Sequence, residues 1–404
     1  MRRPELDHIL STMLDAAPEV SDLLFTVDKP LQIEAVGELL PVACDPPIEK
    51  LTPYQTETIA LNLIGENQWH IKDLLRTGSC DAAYTVMDKA RFRINIFSQR
   101  GNYSIVLRKL NTVVPTLENL KMPEILNQIP AEKTGLVLVT GATGSGKSTT
   151  LAAILDQFNQ NKAIHIITLE DPVEFLHKHN MATFNQRELG TDFDSFANGL
   201  RAALRQAPKV IFVGEMRDRD TVKIALSAAE TGHLVLSTLH TVDAGQTINR
   251  ILGMFETEEQ EQVRLRLADT LRWVVSQRLV PKIGGGRFAL LEIMASNLRT
   301  RETIVQGESE GKSFYEIIES SQPFGWRTFD YSAVEAYDQG LISEETAMLY
   351  CSKRGPVTRA IDNLKKARGE NTTQVNGLRM KPSLQMGKQA ATTPPPLPKA
   401  LKLK

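Results

Sequence analysis

The segment GATGSGKST at residues 141–149 constrains this chain most, because it fits the pattern G-x-x-x-x-G-K-[ST]. It follows an apolar run, GLVLVT, and opens a helix-like stretch, STTLAAILDQF. Glycines in such a loop let successive N–H groups point inward around phosphate oxygens at a helix N-terminus. A glycine-rich turn that binds nothing is the alternative, but the motif and its flanking elements agree. We therefore predict a nucleotide site formed by the whole loop: Gly141, Ala142, Thr143, Gly144, Ser145, Gly146, Lys147, Ser148 and Thr149.

Acidic residues follow two further apolar runs, IITLEDPVE and VIFVGEMRD, which place Glu170 and Glu215 at the ends of predicted strands. In an open α/β sheet, ligand chemistry collects at the carboxyl ends of the strands. Taken alone, such an acid is more often a solvated loop residue or a helix cap. Beside a phosphate loop, however, we predict Glu215 as the base for an attacking water and Glu170 as its support.

The predicted cofactors are ATP and Mg²⁺. Lys147 would reach the β- and γ-phosphates, and Ser148 and Glu215 would hold the metal. Gly214 stands where many phosphate-loop enzymes carry an aspartate. We therefore expect that the metal contacts run largely through water.

Apolar, β-rich runs alternate with helical stretches from Gly135 onward: GLVLVT, AIHIITLE, KVIFVGE, HLVLSTLH and RFALLEIM. Their continuous apolarity predicts strands covered on both faces, and hence a mostly parallel α/β sheet. Upstream, LLFTV, LQIEAVGELLPV and a hairpin turning near Gly101 predict strands, and LTPYQTETIALNLIG predicts a helix opened by Thr52. The predicted divisions are a small α+β domain at 1–110, a proline-broken linker at 111–134, an α/β domain at 135–370 with helices at 297–370, and a disordered, proline-rich basic tail at 371–404.

Composition and charge exclude several classes of protein. Without a long apolar run or a secretory signal, the chain is expected to be cytoplasmic. Three distant cysteines without a C-x-x-C pair argue against disulfides and structural zinc, and are expected to be buried thiols. The tail holds six Lys/Arg and no acid, leaving 41 basic against 48 acidic residues upstream. Because nucleic-acid binders usually carry a basic face, we expect no nucleic acid as a partner, with a RecA-like nucleic-acid motor kept as the rival hypothesis.

Four motifs in order, GATGSGKST, TLEDPVE, LRAALRQAPKVIFVGEMRD and AAETGHLVLSTLHT, resemble the Walker A, Asp box, Walker B and His box of the secretion and pilus ATPase superfamily. Upstream, SDLLFTVDKPLQIEAVGELLPV and FRINIFSQRGNYSIVLRKL are similar to the PAS-like domain of that family. The resemblance covers about residues 1–365. It implies an α/β fold with a RecA-like P-loop core, an N-terminal α+β PAS-like domain and C-terminal helices. It also implies an ATPase that forms a homo-hexamer, with ATP between the RecA-like domain of one chain and the N-terminal domain of the same or another chain.

The resemblance further implies roles for four arginines. Arg93 and Arg108 match N-terminal arginines that approach the γ-phosphate in the family, and Arg201 and Arg205 match the pair before Walker B. A cation brought in by domain closure would stabilise the charge of the transferring phosphoryl group. Without the resemblance, a solvated hairpin face would be the simpler interpretation of Arg93 and Arg108.

The His box supplies two more candidates. His240 ends the run HLVLSTLH and is expected to hydrogen-bond near the γ-phosphate, so that it reports the nucleotide to a neighbouring subunit. A lone histidine at a strand end is usually structural, and His233 is the weaker candidate of the two.

Downstream features favour one branch of the superfamily, the PilT/PilU-like type IV pilus retraction ATPases. The sequence lacks the four-cysteine zinc module typical of extension and type II secretion ATPases, and FGWRTFDYSAVEAYDQGLISEE resembles the retraction branch. The implied function is a motor for pilus retraction and twitching motility, peripheral at the inner face of the cytoplasmic membrane. Its implied partners are an inner-membrane platform protein (PilC-like) and a paralogous pilus ATPase. Two departures, SNLRTRETIVQGESEGK and LRQAPKV, lean towards PilU-like or divergent paralogues and leave open an accessory motor. An extension or secretion ATPase and a scaffold that binds ATP without hydrolysing it are further alternatives.

Overall fold

A computed structural model describes residues 3–45, 47–86, 89–110 and 113–370. Two β-sheets, each with its own hydrophobic core, organise these residues. The predicted tail at 371–404 lies outside the described residues. The limits that we assigned to the domains stay a prediction.

The first sheet is antiparallel throughout and lies in the N-terminal quarter of the chain. Its strands are β1 (Val20–Phe25), β2 (Gln32–Ala35), β3 (Glu38–Pro41), β4 (Ser79–Val86), β5 (Ala90–Gln99) and β6 (Asn102–Leu110), in the spatial order β3-β2-β1-β6-β5-β4. The helices α1 (Arg3–Asp15), α2 (Pro53–Ile64) and α3 (Gln68–Thr77) accompany it. Thr52 caps α2 by accepting the N–H of Gln55, as the Thr-Pro pair predicts. The predicted hairpin is β5–β6, which closes between Gln99 and Asn102.

The second sheet carries the phosphate loop. Its strands are β7 (Gly135–Thr140), β8 (His165–Glu170), β9 (Thr183–Glu188), β10 (Val210–Val213), β11 (Leu234–Leu239), β12 (Leu271–Pro281) and β13 (Arg287–Ala295), in the order β13-β12-β7-β11-β10-β8-β9. Neighbouring strands are parallel except for β13, which runs antiparallel to β12. The mostly parallel sheet is therefore confirmed. The strands β9 and β12 were not predicted, because their polar residues interrupt the apolar pattern on which the prediction relied.

Helices cover both faces of this sheet and continue beyond it. They are α4 (Lys147–Asn161), α5 (Phe196–Ala203), α6 (Arg219–Glu230), α7 (Ala244–Leu252), α8 (Thr257–Thr270), α9 (Leu298–Gln306), α10 (Phe314–Ser320), α11 (Phe329–Asp338), α12 (Glu344–Tyr350) and α13 (Arg354–Ala367). The last five confirm the helical region that we expected downstream of residue 297. In the predicted linker, the short 3₁₀ helix Glu124–Ala131 buries Ile125, Leu126 and Ile129 in the core of the second sheet.

The structure also bears on the expectations about membrane-spanning segments and cysteines. Among the described residues, no helix combines the length and the apolarity that crossing a bilayer requires. Cys80 is buried, whereas Cys44 and Cys351 are only half-buried, so the expectation of buried thiols holds for one of the three.

The fold brings the predicted site together at one edge of the second sheet. The strands β7, β8, β10 and β11 are parallel, and their carboxyl ends meet where the phosphate loop begins. The strand β5 of the first sheet reaches the same place, because its Arg93 lines the cavity found there. The site therefore lies between the two sheets.

Candidate nucleotide-binding site

Glycine geometry shapes the phosphate loop. Gly141 has a φ of +143°, and a Cβ on it would lie 2.5 Å from the backbone oxygen of Gln277 in β12. Gly146 caps α4 in the left-handed conformation, with a φ of 88°, and has no side chain to bond the first-turn N–H groups. Since Lys147 and Ser148 of that turn line the cavity, the helix N-terminus opens onto it. Gln277, in β12, supports the loop by donating a hydrogen bond from Nε2 to the backbone oxygen of Ser145, at 3.2 Å.

Lys147 is buried at the centre of the loop. Its Nζ donates to the backbone oxygens of Gly141 and Ala142 at 2.9 and 3.1 Å, and lies 3.4 Å from Nδ1 of His240. Burial lowers the pKa of the Lys147 ammonium, and the negative charge of Glu215 partly opposes this shift. The ammonium group is thus held inside the loop by neutral carbonyl partners, which negatively charged phosphate oxygens can replace.

Glu215 follows β10 and is held at both carboxylate oxygens. His240, at the end of the neighbouring β11, places Nε2 3.2 Å from Oε1, and Arg217 places Nε 2.7 Å from Oε2. The preceding residue, Gly214, packs so closely that a Cβ would lie 3.1 Å from the backbone oxygen of Leu169 in β8. The close approach of β8 and β10 therefore explains why residue 214 is a glycine, where many phosphate-loop enzymes carry an aspartate.

Glu170 ends β8 and lies deeper than Glu215. Its Oε1 accepts hydrogen bonds from Oγ1 of Thr168 at 2.6 Å and from Nε2 of Gln186 at 3.1 Å. Burial raises the pKa of the Glu170 carboxyl to about 7, and these two donors only partly oppose the rise. Near neutral pH the group therefore exchanges between its neutral and ionised forms, as a proton-handling or metal-orienting group does.

A cavity of about 300 Å³ joins these side chains. Of the predicted site residues, eight line it: Arg93, Thr143, Gly144, Lys147, Ser148, Glu170, Glu215 and His240. Arg93 comes from the first sheet. On the opposite wall, burial raises the pKa of Asp171, and the positive charges of Arg217 and Arg93 partly oppose this rise. The other predicted residues of the 141–149 loop do not line the cavity: Gly141, Ala142, Ser145, Gly146 and Thr149.

Three predicted arginines lie elsewhere in the chain. Arg108 pairs with Arg93 across the β5–β6 ladder, but its Nε donates to Oδ1 of Asp22 at 2.9 Å and 69% of its side chain is exposed. Arg201 and Arg205 are exposed at the end of α5, where Arg201 bonds Asn198 and Arg205 bonds the backbone oxygen of Arg201. None of these three described residues lines the cavity of its own chain.

His233 has a local role. Its Nδ1 lies 3.1 Å from the backbone oxygen of Ala228, so the ring bonds the last turn of α6. It is not among the residues that line the cavity within the described chain.

The residues present suit a nucleoside triphosphate and Mg²⁺. Free N–H groups at a helix N-terminus, together with a lysine, match the oxygens and the charge of a polyphosphate. The hydroxyl of Ser148 and the carboxylates of Glu170 and Glu215 are the hard oxygen ligands that Mg²⁺ prefers, directly or through water. The cavity thus contains donors for the phosphates on one wall and acceptors for the metal on another.

Sequence reasoning missed several residues that support this site. Gln186 comes from β9 and Gln277 from β12, the two strands that were not predicted. Arg217 had a local cue, because it lies two residues after Glu215 in VIFVGEMRD. Arg91 had a cue as well: in RFRINIF it is two residues from Arg93 and therefore on the same face of the strand.

Comparison with known proteins identifies the family. The model of the family "Type II/IV secretion system protein" matches residues 82–287. The chain is 38% identical to the type IV pilus ATPase PilU of Pseudomonas aeruginosa over 347 residues, which are 86% of this chain and 88% of PilU. This chain belongs to the type II/IV secretion system protein family. It is also 41% identical to the type IV pilus retraction ATPase PilT of the same organism, over 81% of this chain and 93% of PilT.

Solved structures of this family agree with the fold. A crystal structure of the pilus retraction motor PilT with bound ADP matches 87% of this chain and 98% of its own, at a TM-score of 0.78 and 40% identity. The Legionella pneumophila ATPase DotB matches 85% of this chain and 95% of its own, at a TM-score of 0.74 and 29% identity. The predicted family, the predicted α/β fold with a RecA-like core, and the predicted ATPase class are thereby confirmed.

Proposed function

We propose that this chain is the ATP-hydrolysing subunit of a hexameric motor that drives type IV pilus retraction, or disassembly, and twitching motility. One observation carries the proposal: a single cleft in which the phosphate loop, Glu170 and Glu215 meet Arg93 of the other sheet. Because a cation from one domain faces acids of the other, nucleotide turnover and domain movement are coupled in this cleft. The long alignment with the retraction ATPase PilT supports pilus retraction as the process served.

Binding begins at the phosphate loop. The N–H groups at the start of α4 hold the phosphate oxygens, and Lys147 exchanges the backbone oxygens of Gly141 and Ala142 for the β- and γ-phosphates. Mg²⁺, held by Ser148 and through water by Glu215, would neutralise charge on the phosphates. These contacts fix the terminal phosphate beside the carboxylates.

Hydrolysis then uses the acids and Arg93. Glu215 orients a water for attack on the terminal phosphorus and accepts its proton, while the bond to ADP breaks. His240 and Arg217 hold the two oxygens of Glu215 in place for this step. Arg93 stabilises the negative charge of the transferring phosphoryl group from the opposite wall.

The mechanical step belongs to the assembly. In a homo-hexamer, closure and reopening of successive clefts would move a partner at the ring axis. The inferred partners are a PilC-like inner-membrane platform protein and a paralogous pilus ATPase, with the ring peripheral at the inner face of the cytoplasmic membrane. The mildly acidic body outside the basic tail gives no support for nucleic acid as the partner.

Genetic complementation tests the proposal. In a strain that lacks this gene, single-pilus retraction and twitching should be lost, and the wild-type chain should restore both. Lys147→Ala should fail to restore them because it removes the cation that binds the phosphates, and Glu215→Ala should bind ATP without hydrolysing it. Normal retraction in the deletion strain, combined with ATP turnover stimulated by DNA or RNA, would instead establish a nucleic-acid motor.

The similarity to PilU favours a second candidate, an accessory motor that works beside a paralogue. The two candidates differ in a strain where this chain is the only retraction-type ATPase. A main motor retracts pili alone in that strain, whereas an accessory motor does so only when the paralogue is also expressed.

A further inference from the structure

The strand β5 carries two arginines on one face, Arg91 and Arg93, because residues two apart in a strand point the same way. Between and beside them, Phe92 and Ile94 point into the core of the first sheet and are fully buried. Arg93 reaches the nucleotide cavity, and only 15% of the Arg91 side chain is exposed. The two arginines thus face the second sheet together, but only one of them lines the cavity.

Arg91 uses all three of its guanidinium nitrogens. Nη2 donates to Oε2 of Glu188 at 2.6 Å and Nε donates to the backbone oxygen of Val173 at 3.0 Å, both on the second sheet's side of the cleft. Nη1 donates to Oγ1 of Thr85, on the neighbouring β4, at 3.0 Å. An arginine with this many directed bonds holds the backbone that carries it far more firmly than a point charge would.

The acceptors of Arg91 belong to the wall of the nucleotide cavity. Oε2 of Glu188 also accepts the N–H of Val173 at 3.1 Å, so one carboxylate oxygen ties Arg91 to the segment that follows β8. In that segment Asp171 and Glu174, on either side of Val173, line the cavity. With 12% of its side chain exposed, Glu188 makes this ion pair in a largely desolvated place.

We propose that Arg91 is a positioning residue for ATP hydrolysis: its bonds to Glu188 and Val173 hold Arg93 and the Asp171–Glu174 wall in the arrangement that closes the cleft. This inference rests on the proposed function, in which Arg93 acts on the terminal phosphate. Arg91 itself does not line the cavity and acts through its neighbours.

Steady-state turnover and nucleotide binding of the full-length protein test the role. Arg91→Met keeps the length of the side chain but removes its donors, and should lower kcat about tenfold or more, with the Kd for a fluorescent ATP analogue within threefold of wild type. Arg91→Lys should be nearly as slow, because it keeps the charge but loses the fork of bonds. Glu188→Gln should fall between these variants and wild type.

Two controls separate positioning from general stability. Arg76→Met removes an exposed arginine of α3, the helix beside the same sheet, whose ion pair among the described residues is with Asp73, and should leave kcat unchanged. Asn67→Ala removes a bond to the backbone oxygen of Gly190, a contact between the same two parts of the chain at a site away from the cavity, together with the side-chain cap of α3. If domain contact alone matters, Asn67→Ala will lower kcat as much as Arg91→Met, and the positioning role is wrong.

A double-mutant cycle with Arg93→Ala gives the decisive outcome. If Arg91 works by placing Arg93, the double variant should be no slower than the slower single variant, within about twofold. Multiplying effects would overturn the proposal, and so would an Arg91→Met protein with wild-type kcat. The outcome is distinct from failure of the proposed function: a chain that turns over ATP normally but does not retract pili leaves the Arg91 result intact.

Discussion

The imidazole Nε2 of His240 lies 3.2 Å from Oε1 of Glu215. The other ring nitrogen, Nδ1, lies 3.4 Å from Nζ of Lys147. Because an ammonium group only donates, Nδ1 acts as the acceptor toward Lys147, while Nε2 makes a close polar contact with the Glu215 carboxylate. His240 therefore connects the phosphate-binding lysine to the proposed base and fixes the direction in which that base points.

We predict that His240→Ala slows hydrolysis while nucleotide still binds. Loss of the imidazole frees one oxygen of Glu215, so kcat should fall on the order of tenfold to a hundredfold, as when other polar groups that position a catalytic site are removed. The Kd for ATP should change less than threefold, since the phosphate loop is intact. ATP turnover and titration with a fluorescent analogue measure the two quantities.

His233→Ala is the matched control for this prediction. His233 belongs to the same sequence motif, but its side chain bonds the end of α6 through the backbone oxygen of Ala228. Its kcat should equal that of the wild type. Equal losses in the two variants would mean that the motif acts through folding rather than through Glu215.

Sequence reasoning found those residues of the site that belong to local sequence motifs. Lys147, Ser148, Glu170 and Glu215 each follow directly from a strand followed by a loop, and parallel strands bring their ends together. The helix α2 and the N-terminal hairpin were predictable for the same reason, since capping and turn residues act over a few positions.

The missing part depends on contacts between distant segments. Arg91 meets Glu188 across 97 positions, and Gln277 meets Ser145 across 132 positions, so no window of sequence contains both partners. The strands β9 and β12 escaped prediction because each mixes polar residues that serve the site, such as Gln186 and Gln277, with apolar ones. The polar residues that support the site are thus the reason why these two strands were not predicted.

We predict that Glu170 makes both stability and activity depend on pH near neutrality. Its folded-state pKa is raised from 4.5 to about 7 by burial, so between these values the folded state keeps a proton that the unfolded state has lost. The free energy of unfolding therefore falls as pH rises through that window and levels off above about pH 7. If the ionised form assists catalysis, kcat/KM for ATP rises over the upper part of the same range.

Glu292 provides a matched comparison, because burial also raises the pKa of this β13 carboxyl to about 7. It lies outside the nucleotide cavity, where its Oε1 accepts the N–H of Ala244. Glu170→Gln and Glu292→Gln should each flatten the stability profile, measured by urea unfolding at fixed protein concentration. Only Glu170→Gln should also remove the rise in kcat/KM; a rise that survives in this variant would assign the titration to another group.

Mixing of variant subunits tests whether Arg201 and Arg205 serve the site of a neighbouring chain. Both are exposed and neither lines the cavity of its own chain, so an assembled ring is where their family role would be expressed. Lys147→Ala subunits lack a working phosphate loop but keep both arginines, and the Arg201→Ala/Arg205→Ala double variant has the opposite defect. If the arginines act on a neighbour, a one-to-one mixture of the two inactive proteins should recover turnover at about a quarter of its sites.

The control for this experiment is a mixture of Lys147→Ala with Glu215→Ala. Both residues line the same cavity of one chain, so every site in such a ring lacks either Lys147 or Glu215. Turnover should therefore stay absent. Recovery in the arginine mixture alone would place Arg201 and Arg205 at the interface between subunits. If neither mixture recovers turnover although both form rings of wild-type size, the assignment of Arg201 and Arg205 to a neighbour's site is wrong. The arginines then either act within their own chain after a movement of α5 or do not act on the nucleotide.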